Sequence, residues 1–333
     1  MQSRVTIVDV AREAGVSVAT VSKVLNGKDG VAGATAVRVQ GVIETLGYES
    51  SIVARSLRSS RTNVVGILVP EFEPFSAEVL KGVARGIGET QYELLAYAGA
   101  GARLHEGWER RSLSRLSGTL IDGAVLVTPT VTEVATTIPV VAIDPHTGTS
   151  RLPSVVSDND DGGYQAARHL LDLGHTRIAF ISGRPDLESS RGREAGYRRA
   201  MTEAGLAVDP ALVVAGDYQR EGARRATAAL LDLAEPPTAV FAANDLSALA
   251  TIEEATQRGV DVPGGLSVVG FDDVPEAARS VPGLTTVRQQ MSEMGAVAAA
   301  MLLDLLRRSE PVNPHVRLGT ELVVRASTAV PRR

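Results

Sequence analysis

The sequence predicts an α/β chain with a small all-α domain at its N-terminus, followed by a larger two-lobed domain with parallel sheets. Three observations support this prediction. Residues 1–61 show helical periodicity with clear start and stop signals. From residue 62 onward, short apolar runs alternate with amphipathic helical stretches, which is typical of parallel sheets with right-handed crossovers. At 333 residues, the chain is also too long for one ordinary core.

Composition excludes several classes of protein. Apolar residues make up 44% of the chain and charged residues 22%, as in packed soluble proteins, and no 18-residue apolar run could span a membrane. Without cysteine there is no disulfide, thiolate nucleophile or Cys-bound zinc. Residues 1–10 lack the apolar core of a signal peptide, so we expect a cytoplasmic protein.

Charge is distributed unevenly along the chain. Residues 1–61 hold eight Lys and Arg against five Asp and Glu, a net charge of +3, which leaves −8 for the remainder of a chain with net charge −5. A basic N-terminal segment followed by an acidic remainder is typical of a protein that contacts phosphate groups at one end. A chance fluctuation of a few charges explains the same numbers equally well.

The first two helices are predicted from their caps. Thr6 can cap a helix that begins at residue 7, with Asp9 as its capping-box partner, and Gly15 can end that helix. Ser17 can cap a second helix over residues 18–25, and two short helices joined by such a turn form a helix-turn-helix unit. Short polar side chains suit phosphate, and Val18, Ala19 and Lys23 can reach base edges. The candidate DNA contacts here are Thr6, Ser17, Val18, Ala19, Thr20, Ser22, Lys23 and Asn26.

Residues 6–26 read Thr-Ile-x-Asp-Val-Ala-x-x-Ala-Gly-Val-Ser-x-x-Thr-Val-Ser-x-x-Leu-Asn. This string resembles the signature of the lactose-repressor and purine-repressor (LacI/GalR) family of bacterial transcriptional regulators. The resemblance implies a DNA-binding domain over residues 1–48, a hinge helix and linker over 49–61, and a ligand-sensing domain over 62–333. The alternative is a three-helix packing motif without a DNA role.

A third helix is predicted over residues 34–46, with Val37, Val39, Val42, Ile43 and Leu46 as its apolar positions. Two positions depart from the family. Ala32 stands where the family has a capping Ser, and Ala36 stands where it has Arg.

Residues 49–58 resemble the family's hinge helix, with Ser50 and Ser51 in place of the usual Pro-Asn. The resemblance makes Ala54, Arg55 and Leu57 candidate DNA contacts, with Leu57 as a wedge in the minor groove. Ten residues are too few for a stable isolated helix, so we expect order only on DNA. The alternative is a plain linker.

The body contains more strands than one compact sheet holds, and a break near Ser157 predicts two lobes with a ligand in the crevice at the strand ends. The predicted helices cover residues 77–90, 162–173, 191–204, 220–234 and 246–257. The predicted strands cover residues 64–69, 93–96, 123–127, 140–143, 154–156, 177–181, 239–242 and 266–270.

Phrases such as Ala243-Asn244-Asp245 and Val269-Gly270-Phe271-Asp272-Asp273 are similar to the family's sensor domain, which itself resembles periplasmic sugar-binding proteins. The resemblance implies three crossings between lobes. The first lobe would hold residues 62–156 and 291–318, and the second 157–290 and 319–333. A helix over 291–308 and a last strand over 321–324 complete the two lobes.

Matched by position, the family's effector contacts fall on one set of polar and aromatic residues. Carboxylates accept hydrogen bonds from hydroxyls, a guanidinium donates to two oxygens, and an aromatic ring covers a pyranose face. These properties favour a mono- or oligosaccharide over a purine or another metabolite. In the alternative interpretation, the aspartates are loop or cap residues and the tyrosine is core. The set is Phe75, Asp144, Ser189, Arg193, Tyr218, Asn244, Asp272 and Gln289.

Other motifs predict no chemistry. Gly82, Gly86 and Gly88 lie on an amphipathic helix and so form no dinucleotide loop, and the five histidines show no metal-ligand spacing. Trp108 is interpreted as a helix-surface residue. No nucleophile stands beside a base. We therefore expect no catalytic residue, no metal and no cofactor.

Two rival classes share the sensor fold. A solute-binding protein for uptake has no use for residues 1–61, and an enzyme needs a catalytic group that the crevice candidates do not supply. The expected protein is thus a repressor, without enzyme activity, of a carbohydrate-utilisation operon. Its partners would be a palindromic double-stranded operator, a sugar effector and a second copy of the chain in a homodimer.

Overall fold

A computed structural model describes residues 5–25, 29–48, 61–99, 107–131, 133–146 and 151–332. The backbone divides into two compact units. One spans Met1–Thr62 together with Gly118–Leu120, and the other contains the rest of the chain. None of the helices in these ranges is long and apolar enough to span a lipid bilayer.

Three helices form the N-terminal unit: α1 (Ile7–Ala14), α2 (Val18–Leu25) and α3 (Gly33–Leu46). The predicted capping box is confirmed, because the Thr6 N–H donates to Asp9 Oδ2 at 2.9 Å and the Asp9 N–H donates back to Thr6 Oγ1 at 3.4 Å. Gly15 ends α1 in the left-handed conformation, at φ 62°. The Ser17 hydroxyl caps α2 by accepting from the Thr20 N–H at 3.1 Å.

The core of this unit is small and entirely aliphatic. It consists of Val10, Ala11, Ala14, Val21, Val39 and Ile43. The α3 helix begins after Ala32 without a side-chain cap, as its missing Ser predicts. Among the apolar positions of α3, Val37 is 75% exposed, because the helix turns its Val39 and Ile43 face toward the other helices.

The second unit contains twelve strands and eight α-helices among its described residues. The helices are α4 (Pro74–Ile87), α5 (Trp108–Leu116), α6 (Asn159–Asp172), α7 (Glu188–Glu203), α8 (Arg220–Leu231), α9 (Asp245–Gln257), α10 (Pro275–Arg279) and α11 (Met291–Leu306). The strands are β1 (Val64–Val69), β2 (Glu93–Ala98), β3 (Gly123–Val127), β4 (Val140–Ile143), β5 (Ser154–Ser157), β6 (Ile178–Ser182), β7 (Val213–Ala215), β8 (Ala239–Ala242), β9 (Ser267–Asp272), β10 (Thr285–Gln289), β11 (His315–Leu318) and β12 (Thr320–Val323).

These strands form two six-stranded sheets, one in each lobe. The first has the order β11-β5-β4-β3-β1-β2 with all neighbours parallel. The second has the order β12-β10-β9-β8-β6-β7, in which the β12–β10 pair is antiparallel. The chain passes between the sheets after β5, after β10 and after β11, so three crossings lie side by side. This arrangement supports the α/β fold class that the sequence predicts.

Each lobe has its own core, with central strands that are buried on both faces. In the first lobe, α4 and α11 pack closely because Gly82 and Gly295 face each other's helix. A Cβ on Gly82 would overlap the Ser292 carbonyl, and one on Gly295 would overlap the Val79 carbonyl. Gly82 therefore permits helix packing, which agrees with its predicted place on a helix.

Candidate functional site

The first candidate surface is the outer face of α2. Ser17, Val18, Ala19 and Lys23 are exposed there, and Thr20 and Ser22 are half-buried. Val21 is fully buried and fixes the rotation of the helix. Thr6 is exposed at the start of α1. The candidates Asn26, Ala54, Arg55 and Leu57 lie outside the described residues.

Polar groups at the start of α2 already hold the helix terminus. The Ser17 and Thr20 hydroxyls are 2.9 Å apart, and each hydroxyl retains further hydrogen-bonding capacity. A helix start that carries short hydroxyls suits contact with a phosphate group. Exposed Val18, Ala19 and Lys23 are then the side chains left for base edges.

The second candidate is a crevice between the two lobes of the second unit, with a volume of about 900 Å³ including its mouth. The carboxyl ends of both parallel sheets open onto it, the usual place for ligands in α/β folds. Seven of the eight predicted effector contacts line it: Phe75, Asp144, Ser189, Arg193, Tyr218, Asn244 and Asp272.

Arg193 is the central cation of the crevice. It is 4% exposed and lies on α7. Its Nη1 donates to the Ala243 carbonyl at 2.5 Å, and its Nε donates to Asn159 Oδ1 at 2.9 Å. The guanidinium carbon lies 3.8 Å from the centre of the Phe271 ring, a cation–π contact. These contacts hold the guanidinium in one position.

Two buried carboxyl groups lie near this guanidinium, and a third, that of Glu73, lines the same crevice. Asp272 Oδ1 lies 3.5 Å from Arg193 Nη1, and Asp144 Oδ1 accepts from the Ser157 N–H at 3.4 Å. Burial raises the pKa of each aspartate to about 6, although Arg193 opposes the shift. Burial and the neighbouring Asp272 raise the pKa of Glu73 to about 7. Among the carboxyl groups that line the crevice, Glu73, Asp144 and Asp272 are thus the ones whose pKa is raised.

Gln289 does not line the crevice. Its Nε2 donates to Asp272 Oδ1 at 2.6 Å and so positions that carboxylate from behind.

The other predicted polar residues contact one another. The Ser189 and Tyr218 hydroxyls are 3.2 Å apart, and Asn244 Nδ2 donates to the Tyr218 carbonyl at 3.3 Å.

The sequence did not identify several wall residues. Trp108 is the clearest case, because the predicted surface role is wrong: the residue is 3% exposed and lines the crevice. Glu73, His146, Arg184 and Leu187 also line it. Nothing local identifies these residues, since each reaches the crevice through a loop or a helix start that tertiary contacts place.

Backbone strain is concentrated around the crevice. Five wall residues other than glycine have a positive φ: Thr128 (46°), Asp144 (45°), Asp217 (57°), Tyr218 (62°) and Asp272 (118°). Such conformations cost about 1–3 kcal/mol each and persist where the surroundings impose them, often at functional sites. The side chains of the crevice are thus held in place by strained loops at the strand ends.

Comparison with known proteins gives matches for both parts of the chain. A family model described as "Bacterial regulatory proteins, lacI family" matches residues 6–51, and one described as "Periplasmic binding protein-like domain" matches residues 167–328. The chain is 35% identical to catabolite control protein A of Priestia megaterium, over 97% of this chain and 99% of that protein. It is 34% identical to the transcriptional repressor PurR of Aliivibrio fischeri, over 97% and 98%.

Solved structures show the same architecture. The complex of the transcriptional regulator CelR with cellobiose superposes with a TM-score of 0.72 at 33% identity, over 97% of this chain and all of that one. The lac repressor dimer bound to operator and an anti-inducer superposes with a TM-score of 0.84 at 25% identity, over 98% and 100%. These relatives are regulators of transcription and not enzymes, as the sequence predicts. Because the similarity extends over nearly its whole length, this chain belongs to the lacI family of bacterial regulatory proteins.

Proposed function

We propose that this regulator represses a carbohydrate-utilisation operon and that a sugar in the crevice controls its affinity for the operator. One observation carries the proposal: Asp144 and Asp272 are buried carboxyl groups beside Arg193, Glu73 lines the same crevice, and Arg193 directs its Nε and Nη1 N–H groups at protein oxygens. The acceptor atoms of these carboxyl groups favour a ligand that has many hydrogen-bond donors.

The hydrogen-bond donors and acceptors of the crevice favour a ligand of this kind. Arg193 donates from Nε and Nη1 to Asn159, Ala243 and Asp272, so only the N–H groups of its Nη2 are left for a ligand. The carboxylate oxygens have spare lone pairs in a buried site, where an unpaired polar group costs about 1–3 kcal/mol. An anionic ligand would bring a further negative charge next to the carboxylates, which would repel it. A neutral polyol supplies hydroxyl donors, and Phe75 and Tyr218 offer it aromatic faces.

The DNA side of the proposal rests on α2. We propose that Val18, Ala19 and Lys23 contact base edges, and that Thr6, Ser17, Thr20 and Ser22 position phosphates. Asn26 and the hinge residues Ala54, Arg55 and Leu57 complete the proposed contacts. We further propose domain limits at residues 48 and 61 and a homodimer on a palindromic site in the cytoplasm, where chromosomal DNA is found. The lac repressor dimer solved on its operator supports this arrangement.

A purine is the second candidate effector. PurR proteins are among the relatives at 34% identity, and a flat heterocycle with N–H donors can also stack on Phe75 or Tyr218 and donate to Asp272. The two candidates differ in shape, because a purine offers donors only in its plane and a sugar offers them around its rim.

A thermal-shift screen of hexoses, disaccharides and purine bases against the purified chain tests the proposal, because a ligand that binds the folded state raises the melting temperature. We expect a sugar to give the largest shift and to change affinity for the chain's own promoter DNA. The variants Arg193→Ala and Asp272→Asn should lose the shift, whereas Arg199→Ala, an exposed residue of the same helix, should keep it. A shift with purines alone would refute the sugar proposal.

A further inference from the structure

Two buried polar atoms in the crevice wall have no hydrogen-bond partner within the described part of the chain: Trp108 Nε1 and His146 Nε2. Both residues line the crevice, and they are 3% and 7% exposed. Leaving one such group unpaired is costly, and a native protein contains few of them. Two unpaired atoms on one wall indicate that a molecule outside the described part of the chain is their partner.

The chemistry of the two atoms is complementary. The indole nitrogen can only donate a hydrogen bond. His146 Nδ1 lies 2.8 Å from the Pro129 carbonyl oxygen, so this nitrogen carries the proton. Burial lowers the pKa of His146, which keeps the ring neutral, and its Nε2 then carries a lone pair. The wall thus presents one donor and one acceptor, and the hydroxyl groups of a sugar can act as partners to both kinds of atom.

This part of the wall is rigid before any ligand binds. The Gly107 N–H donates to Thr130 Oγ1 at 3.1 Å, and that hydroxyl donates to Glu109 Oε2 at 3.1 Å. Glu109 also accepts from the Thr130 N–H. These bonds fix the start of α5, and therefore Trp108, to the loop after β3. The indole ring lies against Gly99, where a Cβ would come within 2.6 Å of Trp108 Cε3.

Charge distinguishes this region from the carboxylate-rich part of the crevice. From the second lobe, Arg184 and Leu187 line the same crevice. Arg184 donates from Nε and Nη2 to the two carboxylate oxygens of Asp186, at 3.1 and 2.6 Å. Because this pair balances its own charge, the region offers aromatic surface, apolar surface and neutral polar atoms. Such a wall suits an uncharged ring with hydroxyl groups.

We propose that Trp108, His146, Arg184 and Leu187 form a second subsite that binds the second ring of a disaccharide, while the carboxylates around Arg193 bind the first ring. The inference rests on the proposed function, because it assumes a sugar in the crevice. It assigns the effector to disaccharides and larger glycosides, and it gives roles to two residues that no sequence motif identifies.

Calorimetric titration of the full-length chain tests the subsite. The probes are glucose, galactose and mannose, their methyl glycosides, and the disaccharides cellobiose, maltose and lactose. We expect one disaccharide to bind at least about tenfold more tightly than either constituent sugar, which equals about 1.4 kcal/mol. Trp108→Phe, which keeps a ring but removes the N–H, and His146→Leu should each reduce that ratio to near one while the affinity for the single sugar stays within about twofold.

His315→Leu is the matched control, because His315 is exposed and does not line this crevice, and it should keep the full ratio. Operator affinity, measured on each preparation, reports whether a variant is folded. A wild-type chain that binds a single sugar as tightly as every disaccharide overturns the subsite and leaves the sugar proposal intact. A disaccharide preference that survives both substitutions also overturns it. A wild-type chain that binds none of these sugars overturns the proposed function and the subsite together.

Discussion

Asp272→Asn should stabilise the ligand-free protein even as it removes the effector response. Burial raises the pKa of Asp272 from its ordinary value of 3.8 to about 6, because the carboxylate is less well solvated in the fold than in the unfolded chain. When both states are ionised, this difference corresponds to about 3 kcal/mol of lost stability. Asparagine has the same shape without the charge, so the substitution removes the penalty.

The free-energy cost of the Asp272 carboxyl group in the folded state depends on pH. A carboxyl group with a raised pKa in the folded state costs nothing below its unfolded pKa, and its cost grows as pH rises from 3.8 to about 6. The free energy of unfolding of Asp272→Asn, relative to wild type, should therefore be higher at pH 8 than at pH 5. The advantage at pH 5 should be about half of that at pH 8, since Asp272 is then mostly protonated in the fold.

Urea denaturation of both proteins without ligand, at pH 5 and at pH 8, measures the effect. Asp261→Asn is the control, because Asp261 is an exposed carboxylate of the same lobe, and its effect should be small at both pH values. An advantage of Asp272→Asn that is equal at the two pH values, or larger at pH 5, would refute the reasoning. It would mean that the ionised carboxylate is well stabilised by Arg193 and Gln289.

The remaining predictions concern the DNA-binding part. Lys23→Ala should cost about 1–3 kcal/mol of operator affinity and relax the preference at one symmetric base pair in competition assays; equal weakening on all sequences would mean a phosphate contact instead. Ala32→Ser should add the missing cap of α3 and raise its stability by about 1 kcal/mol, measured by amide exchange in the intact chain, and unchanged protection would contradict this. Leu57→Ala should weaken operator binding if the residue is a groove wedge, and unchanged affinity would leave residues 49–58 a plain linker.

The sequence predicted the regular elements well where their signals are local. The strands β1, β3, β4 and β8 have the predicted limits, because each is a short apolar run between turn residues. The helices α1 and α2 were predicted from capping residues, which act within one turn. Local signals of this kind need no information about the partners that an element will meet.

Elements without such signals were missed. The strand β10 reads Thr-Thr-Val-Arg-Gln, and its buried threonines are satisfied by distant partners: Thr286 Oγ1 donates to Asp245 at 2.5 Å, and the Thr285 N–H donates to Ser327 Oγ at 2.8 Å. The strand β7 has three residues, and β11 is exposed at alternate positions. Polar strands and very short ones are stabilised by tertiary contacts, which the sequence does not show.

In the candidate site, too, residues with a local or family signal were predicted and residues placed by tertiary contacts were missed. The sequence pointed to Phe75, Asp144, Arg193 and Asp272 for one of two reasons. Either recognisable motifs flank the residue, or the residue occupies the position of an effector contact in the family. Trp108 was missed because its burial depends on Gly99, which follows β2 and lies outside the helix of Trp108, and on the Glu109 bonds to a loop after β3.

The strained loops at the strand ends limit how this regulator can acquire a new effector. The backbone has a positive φ at Thr128, Asp144, Asp217, Tyr218 and Asp272. A replacement residue at one of these positions must therefore contact the new ligand and also adopt a backbone conformation that most residues disfavour. Two other wall residues, Phe75 on α4 and Ser189 on α7, lie in regular helices, where the backbone conformation itself disfavours few residue types besides glycine and proline. Selection for altered specificity, in nature or in a library, should therefore first change the helical positions. The residues at the strand ends should stay constant while the spectrum of ligands shifts.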